Sequence, residues 1–124
     1  MPEDLSETHA SRAAAINELG FKLLAQLVTN DSRNVFISPA GISFSLSILL
    51  NGANGETKTA LAKLLLSDTE ALDSFNSANQ ELHSQLEQKI SGAQIDLANG
   101  LFTNAGRTLN SSFSKIVPSS KHMT

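Results

Sequence analysis

Apolar residues at Ile16, Leu19, Leu23, Leu24, Leu27 and Val28, with Ala13 one turn earlier, recur in steps of three and four. That spacing predicts an amphipathic helix from about Ser6 to Thr29, closed by the turn residues Asn30, Asp31 and Ser32. The pattern then changes. Val35-Phe36-Ile37 is β-prone, too short for a helix and apolar on both faces, so it predicts a short buried strand. Ser38-Pro39 opens the next helix: a Ser side chain can cap free N–H groups, and Pro costs nothing in the first turn. Ile42, Leu46, Leu49, Leu50 and Ala53 form its main stripe. Phe44 and Ile48 lie off the stripe and the remainder is Ser and Gly. Apolar residues all round predict a central, buried helix. Ser43, Ser45 and Ser47 can return their hydroxyls to carbonyls one turn back.

Asn51-Gly52-Ala53-Asn54-Gly55 breaks that helix, and Thr57 is a suitable cap for a following one carrying Leu61, Leu64 and Leu65. Ser67 and Glu70 have the spacing of a capping box for a further helix. Its face is Leu72, Phe75, Leu82, Leu86 and Ile90, with Ala78 or Asn79 filling the gap, and Ser91-Gly92 closes it. From Gln94 to Thr103 the period becomes two, with Ile95, Leu97 and Leu101 alternating with Asp96, Ala98 and Gly100, as in a strand. After an Asn104-Ala105-Gly106 turn, Leu109, Phe113, Ile116 and Val117 predict a short helix stopped by Pro118. Residues 1–5 and 118–124 read as disordered tails around one folded unit, 6–117. The class is α+β, mainly helical. Two short strands are too few for a sheet, so their unpaired backbone groups imply pairing with another chain or membership of something larger.

The composition narrows the function. Among 124 residues, 40% are apolar and 17% charged, which is globular rather than disordered. Six Phe and no Tyr or Trp leave a core built of aliphatic side chains. The net charge is −3 and the nine basic residues are scattered, which argues against a nucleic-acid partner. No cysteine is present, which removes disulfides, thiol catalysis and the usual zinc sites without fixing the compartment. No apolar run has membrane-spanning length, and the first 20 residues lack a secretory signal, which slightly favours the cytoplasm. Without such a signal, the sequons at Asn30 and Asn110 read as chance occurrences.

Candidate chemistry is sparse. His9, His83 and His122 have no obvious company, and His83 reads as a solvated surface histidine. Glu81 with Glu87, and Asp68 with Glu70 and Asp73, read as solvated helix faces. Gly52-x-x-Gly55 opens a helix without the Lys-Ser/Thr of a phosphate loop. No metal-ligand spacing, cofactor motif or catalytic constellation emerges, so an enzyme is not expected.

Three blocks do carry a signal. The first is Asn34-Val35-Phe36-Ile37-Ser38-Pro39 with Ile42 four residues after Ser38. The second is Gly52-Ala53-Asn54-Gly55-Glu56-Thr57 entering a Leu-rich helix. The third is Ala98-Asn99-Gly100-Leu101-Phe102, followed by Leu109 and Phe113. In this order and spacing they resemble the N-terminal part of a serpin, from about Ala13 to Val117. The resemblance implies the family's first helix, a short buried strand, the central second helix, the third and fourth helices, one strand of the large sheet and the start of the fifth helix. It also implies that the region of Asn34, Ser38 and Gly41 lies under the large sheet and helps govern its opening. Serpins inhibit serine or cysteine proteases by inserting a cleaved reactive loop as a new strand, a standard instance of strand addition and of released strain.

Two departures stand out. Where the family usually has a second Ser, three residues after the first, this chain has Gly41. Losing that hydroxyl removes a hydrogen bond worth about 0.5–1.5 kcal/mol and would ease sheet opening. Pro118 falls where the fifth helix should continue. The chain covers roughly a third of a family member, a large fold for one domain, without the reactive loop, its hinge or most of the large sheet. It is therefore expected to be non-inhibitory alone. The helix at 68–90 has Lys89 as its one basic residue, which does not support a heparin-type site. Many family members are extracellular, so the resemblance leaves the compartment open. Two other readings compete: an interaction module that self-associates by strand addition, and an unrelated small helical domain.

Overall fold

A computed structural model describes residues 5–29, 33–66 and 70–116, the first turn of the first helix as backbone only. Five helices follow one another: α1 (Leu5–Leu27), α2 (Pro39–Gly52), α3 (Gly55–Leu65), α4 (Leu72–Leu86) and α5 (Ser111–Ile116). Leu5, expected in an N-terminal tail at 1–5, already belongs to α1. Residues 1–4, the expected tail at 118–124, the turn residues Asn30, Asp31 and Ser32, and Ser67, Asp68, Val117, Pro118 and His122 lie outside the described residues, as does the side chain of His9.

The core gathers Leu19 of α1, Leu50 of α2, Leu65 of α3 and Phe75 of α4. Leu23, Leu46, Leu61, Ala62, Leu66 and Leu72 pack around them. Each central residue lies on its helix's apolar stripe, so four amphipathic faces meet in one cluster. Gly20 lets α1 and α2 cross closely: a Cβ there would come within 2.5 Å of Pro39 Cγ. Gly52 does the same for α5, since a Cβ would meet the Phe113 ring at 3.0 Å.

Beside the apolar core, α2 and α4 are joined by polar groups. The Ser47 hydroxyl donates to the Ser43 carbonyl at 2.6 Å and accepts from Asn79 Nδ2 at 3.0 Å. Asn51 and Asn76 exchange amide hydrogen bonds in both directions at 2.8 Å. Such a ladder fixes the register between two helices more tightly than sliding apolar contacts would.

Arg12 closes the core from α1. It is only 3% exposed. Its Nη2 donates to the Leu65 carbonyl at 2.6 Å, one of the carbonyls that the end of α3 leaves unpaired. Its Nη1 meets Glu70 Oε2 at 3.3 Å, and the guanidinium lies 4.6 Å from the centre of the Phe75 ring. Burial lowers the Arg12 pKa from its ordinary value, and the Glu70 carboxylate opposes that shift.

Several expected boundaries move. Asn54 holds the N-cap position of α3 without a side-chain cap hydrogen bond, and Gly55 follows at φ +60°, so Thr57 sits inside the helix instead of capping it. That left-handed backbone favours glycine and lets the chain turn into α3 a full step earlier. No capping box opens α4: Ala71 is the cap residue, and the Glu70 side chain reaches Arg12. α4 stops at Leu86, so Ile90 leaves the helical face and is exposed. Ile90 forms an isolated bridge to Ala93.

Neither expected strand forms among the described residues. Val35, Phe36 and Ile37 are irregular, and Phe36 is 97% exposed rather than buried. The segment expected as a strand, 94–103, is likewise irregular, with an isolated bridge at Phe102 and no strand. A strand is defined by its ladder, and the described residues offer these segments no partner backbone. The structure is accordingly mostly helical. α2 is also less enclosed than its composition predicts: Ser43, Phe44, Ser47 and Leu50 are buried, while Leu49 is exposed and Ile42 and Ile48 are half-buried. Among the described residues no helix is long and apolar enough to cross a membrane.

Candidate functional site

The first block and Asn99 of the third meet at the N-terminal end of α2, while the second block lies at its opposite end and leads into α3. Ser38 is the N-cap of α2, in extended conformation, and its hydroxyl accepts from the Gly41 N–H at 3.2 Å. The Ser38 carbonyl accepts from Ile42 N at 3.0 Å, and Pro39 fills the first helical position. One turn on, the Ser45 hydroxyl lies 3.1 Å from the Gly41 carbonyl and 2.5 Å from Asn99 Oδ1. Its single proton serves one acceptor at a time. Ser45 and Asn99 thereby connect α2 to the 94–103 segment. Ser38, Gly41, Ile42, Ser45, Leu46 and Asn99 enclose a shallow pocket of about 360 Å³.

Gly41 is not simply a vacancy. A Cβ built on it would stand 3.1 Å from the Ser38 hydroxyl oxygen. A serine there would press on the group that caps the helix, and the cap would have to yield by a few tenths of an ångström. Asn34 and Phe36 lie apart from this pocket, both exposed on the approach to Ser38. Gly52 and Phe113 meet between α2 and α5, Ala53 forms the end of α2, and Thr57 is exposed on α3. Leu101 is half-buried and Phe102 is 73% exposed.

A larger groove, about 980 Å³, runs between α2 and α4, with residues 97–102 and α5 forming its other walls. His83 lies in it and is not the solvated residue its neighbours in sequence suggested. Its ring meets Phe44 edge-on at 5.3 Å between centres. Its Nδ1 lies 3.5 Å from Glu87 Oε2, while Glu87 Oε1 accepts from Leu97 N at 3.1 Å. The candidate carboxylates therefore do not converge: Glu70 serves Arg12, and Glu87 serves Leu97 and His83. Among the described residues no group of His, Asp and Glu could hold a metal ion.

Sequence reasoning missed Arg12 and the Ser45–Asn99 contact. Arg12 had a signal, because it stands four residues before Ile16 and so on the buried face of α1. Ser45 had none, since its partner lies 54 residues away.

These features define a helical scaffold with a capped central helix rather than a catalytic centre. The family model described as Serpin (serine protease inhibitor) matches residues 14–123, and the chain belongs to the serpin family. Serpins are protease inhibitors rather than enzymes. The match excludes an unrelated helical domain. Among curated relatives, human corticosteroid-binding globulin is 30% identical over 118 residues, 90% of this chain and 28% of its own length. The leukocyte elastase inhibitor of Xenopus tropicalis is 33% identical over 92 residues, 73% of this chain and 24% of its own. Iripin-8 of Ixodes ricinus is 38% identical over 74 residues, 60% of this chain and 18% of its own. The chain thus spans less than a third of the length of these relatives. No solved structure gives a significant match.

Proposed function

We propose that this chain is the N-terminal helical frame of a serpin-type inhibitor of serine or cysteine proteases, and that residues 1–124 alone do not inhibit. One observation carries the reading. α2 is mostly apolar and largely covered, yet one stripe of it is left open, with Leu49 exposed and Phe36 beside its cap almost wholly in solvent. Apolar surface of that kind calls for more protein over it. In this reading Ser38, Gly41 and Asn34 belong to the region that governs sheet opening, residues 94–103 supply one strand of the large sheet, and the folded unit runs from 6 to 117. Loop insertion would be the inhibitory step of the complete inhibitor. The test is to mix the chain with trypsin-like and subtilisin-like proteases. No SDS-stable covalent complex is expected, and one formed by these residues alone would overturn the reading.

A second reading is favoured by a separate observation. Exposed Ile95 and Phe102 lie on backbone that, among the described residues, forms no ladder beyond an isolated bridge at Phe102. The isolated chain would then self-associate by strand addition. Size-exclusion chromatography across a concentration series distinguishes the two: a monodisperse monomer at every concentration rejects self-association.

A further inference from the structure

The segment 94–103 lies along the groove between α2 and α4 as a strap with two polar ties. At Asn99 it meets Ser45, and at Leu97 its backbone N–H donates to Glu87 Oε1. The second tie contains a group that titrates. Glu87 is the C-cap of α4, and its other carboxylate oxygen faces His83 Nδ1 at 3.5 Å. His83 is held in turn against Phe44 of α2. One carboxylate therefore links a histidine to the strap.

We propose that His83 and Glu87 form a pH-dependent tether, which holds the 94–103 strap more firmly to the helical frame when His83 is protonated. Imidazole changes charge between about pH 5 and 8, which sets the window. With His83 charged, the ion pair fixes the Glu87 carboxylate and presents an oriented acceptor to Leu97. The charge also sits in the last turn of α4, where the helix dipole favours a cation. With His83 neutral, both effects are lost and Glu87 is freer to swing away. Among the described residues, the other charges facing this groove are Asp73 on α4 and Lys115 on α5; α2 contributes none. The strap's own Asp96 is occupied by Gln94 Nε2, at 2.9 and 3.2 Å. Imidazole is the side chain whose charge ordinarily changes in this window, and a His83→Gln variant assigns any pH effect on the strap to this position. No protease takes part, so the tether stands or falls independently of the inhibitor reading.

Amide hydrogen exchange on the ¹⁵N-labelled 124-residue chain tests it, with rates corrected for intrinsic pH dependence. Leu66 N–H, bonded to the Ala62 carbonyl within the core, is the reference. Relative to Leu66, the Leu97 amide should be about 2–5-fold better protected at pH 5.5 than at 7.5, the range of a partly exposed ion pair. His83→Gln should abolish that difference. Equal protection at both pH values, or a difference that persists in His83→Gln, overturns the proposal. Should the variant fail to fold, the unsubstituted chain still decides: the Leu97 amide shift and the His83 ring protons must titrate with one midpoint, and separate midpoints overturn it.

Discussion

The two sides of α2 are built on different terms. Toward α1, α3 and α4 it meets a saturated interior: Leu50 is fully enclosed, Phe75 likewise, and Arg12 ties the end of α3 to that cluster. Toward the 94–103 strap it meets one polar tie, Ser45 to Asn99, and a groove beside which Phe102 is exposed. The first side depends on apolar burial shared among many neighbours. The second depends on single hydrogen bonds, each of which nets only about 0.5–1.5 kcal/mol. The first should therefore unfold as a unit, and the second should open locally at much lower cost.

Substitutions that damage the saturated side should have the largest effects. Phe75→Ala empties a fully enclosed position and should cost about 3–5 kcal/mol, enough to abolish the cooperative transition in urea. Arg12→Leu keeps an apolar stem but leaves the Leu65 carbonyl and Glu70 without the guanidinium; a loss of about 1–3 kcal/mol is expected by chemical denaturation. Retention of wild-type stability in Arg12→Leu would show that the guanidinium only fills space. The lowered pKa of Arg12 gives no pH dependence between about pH 5 and 9. Arginine is ordinarily charged far above that range in both folded and unfolded chains, so the desolvation cost is constant there.

On the strap side the effects should be small globally and clear locally. Asn99→Ala should lower global stability by at most about 1 kcal/mol while exchange of the strap amides speeds up. A loss as large as that of Phe75→Ala would erase the distinction between the two sides. Gly41→Ser brings a Cβ to within 3.1 Å of the Ser38 hydroxyl. It should shift the melting temperature by no more than a few degrees, about the size of a strained cap. Smallest of all, Glu18→Gln should leave the melting curve unchanged. Lys22 lowers the Glu18 pKa, through a hydrogen bond first and its charge second, and both groups are on the open surface. What little that pair adds is present above the ordinary carboxylate range and is lost as pH falls through the lowered value.

Much of the helical frame is legible in the sequence, because helix stripes are local. The spacing of Ile16, Leu19 and Leu23, the Ser38-Pro39 start and the Leu61–Leu65 run each state their element within a few residues. α4 is a partial case. Phe75 and Ala78 mark its buried face, but its start was misplaced, because Glu70 is drawn to an arginine 58 residues away. Of the candidate site, the pattern exposed Ser38 as a cap and placed Gly41 beside it. It could not show that Asn99 would return to the same turn of α2.

The sequence by itself determined the order of the helices and most of the faces they bury, the absence of cysteine chemistry and, through three ordered blocks, the serpin resemblance that the family match bears out. Only the tertiary structure decided the rest. It put Arg12 inside, brought Asn99 to Ser45, set His83 against Phe44 and left Phe36 in solvent rather than in a strand. The reason is one of range. A helix closes its hydrogen bonds within four residues, so a short stretch of sequence contains the whole condition for it. A strand, a buried ion pair or a tether between distant segments needs a partner from elsewhere in the chain, and no local pattern states where that partner will be.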